Sequence, residues 1–161
     1  MSIKRNECKH SVARFEVPKQ PGNGIALMTV SFKISTNIYL TGLNVFVLPG
    51  EKQLLKAKLS KVNRQGISLF DGCLENKSDC EAVALQLHSH CKLDEGLEHT
   101  ITICSTVSES MIMNSDYEVV NEHITQGKDL YGRKVKNVKF YDIKVTSNST
   151  RMKVPEFHFY V

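Results

Sequence analysis

An all-β fold, an antiparallel β-sandwich or jelly roll, is what this sequence predicts, and three observations carry that expectation. Apolar residues recur with period two along most of the chain. The stretches that show this period are rich in Val, Ile, Thr, Phe and Tyr, which suit a pleated, half-buried surface. Clusters of Gly, Pro, Asn and Ser separate them at intervals of roughly ten residues, the spacing of a sandwich or barrel. Residues 82–87 fit either period, but their neighbours favour strand; no convincing helix and no internal repeat is visible.

The elements follow in order. Residues 1–24 hold one apolar stretch, Val12–Val17, and then Pro18, Pro21, Gly22 and Gly24, which read as an irregular segment. Met28, Val30, Phe32 and Ile34 alternate with Thr29, Ser31 and Lys33, the pattern of a half-buried strand. Ser35-Thr36-Asn37 is a turn. Residues 38–48 form a second strand, in which Gly42 marks a bulge or a close approach of another backbone. After Pro49-Gly50, Leu55, Ala57 and Leu59 alternate with Lys56, Lys58 and Ser60, a third strand with a basic outer face. Gly66 and Asp71-Gly72 bracket a short apolar piece. Residues 82–87 and 97–104 read as strands, with His99 and Cys104 as packing residues. Residues 105–134 are the least regular and predict a long loop with a short hairpin near Tyr117–Val120. Val138–Val145 and Val154–Val161 are aromatic strands flanking a turn at residues 146–150, in which the polar side chains satisfy their own backbone. Pro155 suits the entry to an edge strand, because it cannot donate to an interior ladder.

One domain over residues 1–161 accommodates all of this, and a chain of that size buries about two-thirds of its unfolded surface. Hydrophobic content of 41% and charged content of 24% are those of an ordinary globular protein. No apolar run approaches the roughly 20 residues that span a bilayer. The first residues lack the apolar core of a secretory signal, so the expected location is cytoplasmic or nuclear. Five cysteines (Cys8, Cys73, Cys80, Cys91 and Cys104) fit neither a disulfide framework nor a metal-binding CxxC pair, and are expected to be reduced. The sequons at Asn76 and Asn148 would go unused in such a compartment.

Charge is unevenly placed. Residues 92–126 hold one Lys against seven acids, whereas residues 127–161 hold eight Lys/Arg against three. Adjacent blocks of opposite sign argue against one continuous nucleic-acid footprint and for charged surfaces that meet partners. The candidate partner-binding residues are Glu109, Asp116, Glu118 and Glu122 in the acidic stretch. A basic hairpin supplies Lys128, Tyr131, Arg133, Lys134 and Lys136. No catalytic constellation, phosphate loop or cofactor motif is present. His88-Ser89-His90 with Glu95 has a spacing found in cupin metal sites, and a metal-dependent enzyme of that kind is one alternative. The flanking glycines and a second His motif are missing. A carbohydrate-binding jelly roll is another alternative.

The order and wording of the strands resemble the PHR domain, the β-sandwich module of the Pam/Highwire family and of certain BTB proteins. The resemblance runs from Val12-Ala13-Arg14-Phe15 through Ile25–Phe32 and Ile38-Tyr39-Leu40-Thr41-Gly42-Leu43. It is best over Val138-Lys139-Phe140, Ser147-Asn148-Ser149-Thr150 and Val154-Pro155-Glu156-Phe157-His158-Phe159-Tyr160. The chain departs at Leu97-Glu98-His99, where the family carries a Trp or Tyr, and at Asn44 and Lys153, where it carries glycine. The resemblance implies a divergent, non-catalytic module that binds partner proteins through loops and edge strands as adaptor or scaffold, linked to ubiquitin-ligase complexes. No cofactor, metal or membrane is expected, and pairing through an exposed edge strand would give a homodimer.

Overall fold

The computed structural model describes residues 23–61, 66–108, 112–120, 122–149 and 155–161. Val12–Val17, Glu109 and Thr150 lie outside them. Among the described residues there are ten strands and no helix. They are β1 (Asn23–Ile34), β2 (Ile38–Phe46), β3 (Lys52–Lys61), β4 (Ile67–Glu75), β5 (Ala82–Leu93), β6 (His99–Ser108), β7 (Ile112–Val120), β8 (His123–Lys128), β9 (Lys134–Ser149) and β10 (Glu156–Tyr160). The larger sheet runs β4-β3-β6-β1-β9-β7, with β8 also paired to β9, and the smaller runs β10-β2-β5. Every strand pairing among the described residues is antiparallel. This is the expected all-β sandwich.

Period two decides which residues fill the space between the sheets. Met28, Val30, Phe32 and Ile34 of β1 are 0–2% exposed, while Thr29, Ser31 and Lys33 between them remain half-buried. Leu55, Ala57 and Leu59 of β3 and Ile38, Leu40, Leu43 and Val45 of β2 face the same core. Phe32, Phe140 and Phe157 meet in tilted contact with centroids 5.2–5.9 Å apart, and Phe159 adds to Phe140 at 5.8 Å. Each such pair contributes about 0.5–1.5 kcal/mol beyond its burial. At Gly42 the backbone of β5 comes so close that a Cβ would stand 2.5 Å from the Leu85 carbonyl oxygen. Here Leu87, His88, Ser89 and His90 of β5 are opposed by Thr41 alone, so the histidines sit in a bulge of the strand.

Several expectations are corrected. The described residues of 105–134 hold no long loop: 105–108 complete β6, 112–120 form β7 and 123–128 form β8. β7 escaped notice because it is the outer strand of its sheet, where polar and charged residues replace strict alternation. Tyr117–Val120 pair with β9 and not with each other. Asp71-Gly72 do not end a strand, since β4 runs through them opposite Lys56 and Leu55. Lys56 is not on a basic outer face. Its side chain is 3% exposed and its Nζ lies 3.3 Å from the Asp71 carboxylate. Nor do residues 146–149 form a turn. They extend β9, where Asn148 serves the neighbouring strand: its Oδ1 accepts from the Leu27 N–H (2.7 Å) and its Nδ2 donates to the Ile25 carbonyl (3.2 Å). Cys104, wholly buried, is disulfide-bonded and not a reduced thiol, whereas Cys73, Cys80 and Cys91 are free.

β9 is the strand that shapes the rest. Its Ile143–Ser149 half pairs with β7 and its Lys134–Phe140 half with β8. Between the halves stands Asp142 at φ 50°, where the register with β1 also slips. A residue in the left-handed region at such a slip bends the strand and sharpens its twist. Past the bend, β8 stays paired with β9 and its end reaches the residue that follows β10. There the Val161 N–H donates to the Lys128 carbonyl at 2.8 Å, and the space where a Gly127 side chain would stand is filled by Val161 and Val138.

Candidate interaction arm

Beyond the buried layer of Gly127 and Val138, the β8–β9 hairpin leaves the body of the protein. Every residue from Leu130 to Asn137 is exposed. A strand lying on a core alternates buried and exposed positions, so consecutive exposed residues at 134–137 mean that neither face is covered. Lys128–Asn137 is therefore a projecting arm.

The arm is stiffened from within by Asp129. Its Oδ1 accepts from the N–H groups of Tyr131 and Arg133, each at 2.9 Å, and its Oδ2 accepts from Arg133 Nε at 2.7 Å. The Asp129 N–H donates to the Arg133 carbonyl at 2.9 Å, and the Gly132 N–H donates to the Asp129 carbonyl at 3.0 Å. Gly132 closes the turn at φ +78°, a conformation glycine adopts without cost. Hydrogen bonds from the Arg133 N–H, assisted by its guanidinium, hold the Asp129 carboxyl below the usual carboxylate range. The Arg133 guanidinium also lies 5.3 Å from the centre of the Tyr131 ring.

What this frame displays is unusual for a surface. Among the described residues seven large hydrophobic side chains are strongly exposed, and four of them are on this hairpin: Ile124, Leu130, Tyr131 and Val135. Tyr131 is 82% exposed and Leu130 64%. Around them stand four cations, Lys128, Arg133, Lys134 and Lys136, against the single carboxylate of Asp129, which Arg133 already engages. The hairpin thus combines exposed apolar side chains with an excess of positive charge.

No family model matches the sequence, and no curated protein matches it. The arm therefore has to be read on its own chemistry.

The structure brings together Lys128, Tyr131, Arg133, Lys134 and Lys136, the basic half of the sequence-predicted set. It separates the acidic half. Glu109 is outside the described residues, Asp116 and Glu118 belong to β7, and Glu122 lies at the foot of β8 in a 3.5 Å ion pair with Lys139. Sequence reasoning missed Ile124, Leu130 and Val135. Leu130-Tyr131 beside Gly132 was the available signal, an apolar pair at a turn where polar residues are the rule.

The other candidates do not assemble. His88 and His90 are exposed in the β5 bulge, and His90 Nδ1 lies 3.2 Å from the Tyr160 hydroxyl. Glu95 sits in the β5–β6 turn, its N–H donating to Asn37 Oδ1 at 2.7 Å. Among the described residues no three His, Cys, Asp or Glu side chains converge on a point where a metal ion could be held. Burial pushes the Cys91 thiol up, with Lys61 opposing, so it is a poor nucleophile at neutral pH. No helix among the described residues is long and apolar enough to cross a membrane.

Proposed function

We propose that this protein is a non-catalytic protein-interaction module that engages an acidic segment of a partner protein through the Lys128–Asn137 arm. One observation carries the reading: a stiffened hairpin exposes Leu130 and Tyr131 inside a collar of four cations. Exposing two large apolar side chains on a projecting turn serves no packing purpose. Pre-ordering them lowers the entropy lost on binding, and Tyr and Arg are the residue types enriched among binding hot spots. The resemblance to PHR domains supports an adaptor or scaffold role and extends it to ubiquitin-ligase complexes. The smaller sheet ends at β10, the edge through which a second copy would pair.

Affinity purification from the native cell tests the reading, with wild-type protein compared against Tyr131→Ala and Lys134→Glu/Lys136→Glu. All three positions are exposed, so stability should shift by no more than about 0.5 kcal/mol. The expected result is loss of one stoichiometric partner from both variants, with recovery from wild type falling as salt rises. Recovery of the same partners from all three proteins would remove the arm from the interface. A glycan array run in parallel separates this reading from a sugar-binding jelly roll.

A further inference from the structure

The geometry points to a second, small-molecule site in the gap between β9 and β10, selective for a ring-bearing ligand with a cationic amine end. The gap follows from the architecture. A three-stranded sheet cannot cover the larger one, and β10 is its outermost strand. On the facing side β9 bends at Asp142, and β8 pairs with it beyond the bend. Between them remains a cavity of about 500 Å³, within the roughly 300–1,000 Å³ of ordinary ligand sites.

Its interior is apolar and aromatic. Val30 and Phe32 come from β1, Phe140 and Val145 from β9, and Phe157 and Phe159 from β10. The four rings form one connected wall, with centroid separations of 5.2–5.9 Å. Water there finds few partners, so a planar apolar body that displaces it gains both packing and ring contacts. The polar side chains of the lining are His123 and Thr125 of β8 and Glu156 of β10. Asn44 Nδ2 donates to Glu156 Oε1 at 2.8 Å, which fixes that carboxylate at the rim and leaves its other oxygen for a ligand. A fixed anion beside ring faces attracts a cation on both counts.

An NMR amide-shift titration with two ring probes of equal length, 4-phenylbutylamine and 4-phenylbutyrate, tests the site. The amine should give saturable shifts at Val30, Phe140 and Phe157, with the acid about fivefold weaker, as suits a solvent-exposed charge pair. Glu156→Gln should narrow that difference, and Val145→Phe, which fills the cavity, should abolish the shifts. If Val145→Phe does not fold, Ile143→Phe at the half-buried wall replaces it. Absence of saturable shifts at these amides overturns the site, as does unaltered binding in the filled variant. Equal affinity for amine and acid overturns its selectivity. If the amine instead displaces a protein held through the arm, the cavity takes that partner's side chain and the small-molecule assignment falls.

Discussion

Asn76 does the work of a small hub. It is 2% exposed, and its Nδ2 donates to the Val47 and Cys80 carbonyls, both at 2.6 Å. Its Oδ1 accepts from the N–H and hydroxyl of Ser78 at 3.0 and 2.8 Å. One amide thus ties the end of β2 to the β4–β5 turn, and the sequon it belongs to is sterically closed. Asn76→Ala leaves buried carbonyls without a donor and should cost about 2–3 kcal/mol in urea unfolding. His99 is a buried imidazole at the start of β6. It is 0% exposed, with Nε2 3.1 Å from both the N–H and the carbonyl of Asp94 and Nδ1 without a hydrogen-bond partner among the described residues. Burial lowers its pKa below the ordinary value, and the Asp94 carbonyl only partly offsets this. Between about pH 6.5 and the lower folded value the unfolded chain binds the extra proton, so stability should fall as pH drops through that window. Asp94 is held low by its hydrogen bond from Lys61, so its stabilisation is fully present across this window and is lost only as pH falls below the usual carboxylate range. Urea titrations from pH 7.5 to 5 should show this slope in wild type and a flatter one in His99→Phe.

Among the elements, β9 departs most from what its sequence suggests. Ser147-Asn148-Ser149-Thr150 has turn chemistry, and in isolation it would bend back on itself. The strand wins because Asn148 spends its amide on the backbone of β1, a partner some 120 residues away that no local pattern discloses. Strands whose one face is buried, such as β1, β2 and β3, were legible from alternation alone, and Gly42 from its place inside one of them. β7 was not, because an edge strand lacks that constraint. The arm was half legible: its charges are plain in the sequence, but only the hairpin's departure from the core shows that Leu130 and Tyr131 are displayed and not buried. Asp142 at φ 50° should be the most sensitive position on β9. Asp142→Val forces a β-branched side chain into the left-handed region and should cost about 1–3 kcal/mol. Asp142→Gly should be close to neutral, because relief of that conformation offsets the exposed Lys33 ion pair at 3.5 Å. Thermal unfolding of the pair checks both.

At the scale of the molecule, the two sheets are closed by the last strands to pair. β1 joins β9 through partners such as Met28 and Ser147, and β2 joins β10 through Leu40 and Phe159. Pairings this distant in sequence carry a large loop-closure cost before they are rewarded, which places refolding in the range of milliseconds to seconds. Stopped-flow refolding with the disulfide intact should show it, and Val138→Ala in β9 should slow folding if that closure is the barrier. The same geometry separates the arm from the frame: it hangs from the bend in β9 and can vary without disturbing the aromatic wall.

The position of β9 between β1 and both β7 and β8 also has a consequence during synthesis. While the ribosome is still translating the middle of the chain, β1 has β6 on one side and nothing on the other. Its N–H and carbonyl groups from Met28 to Lys33, and the apolar face they carry, stay open until residues 134–149 have cleared the exit tunnel. A nascent chain with a long unpaired edge is a template for its neighbours on the same polysome. Chaperone engagement should therefore peak late, and release should coincide with the arrival of the strand that bends at Asp142.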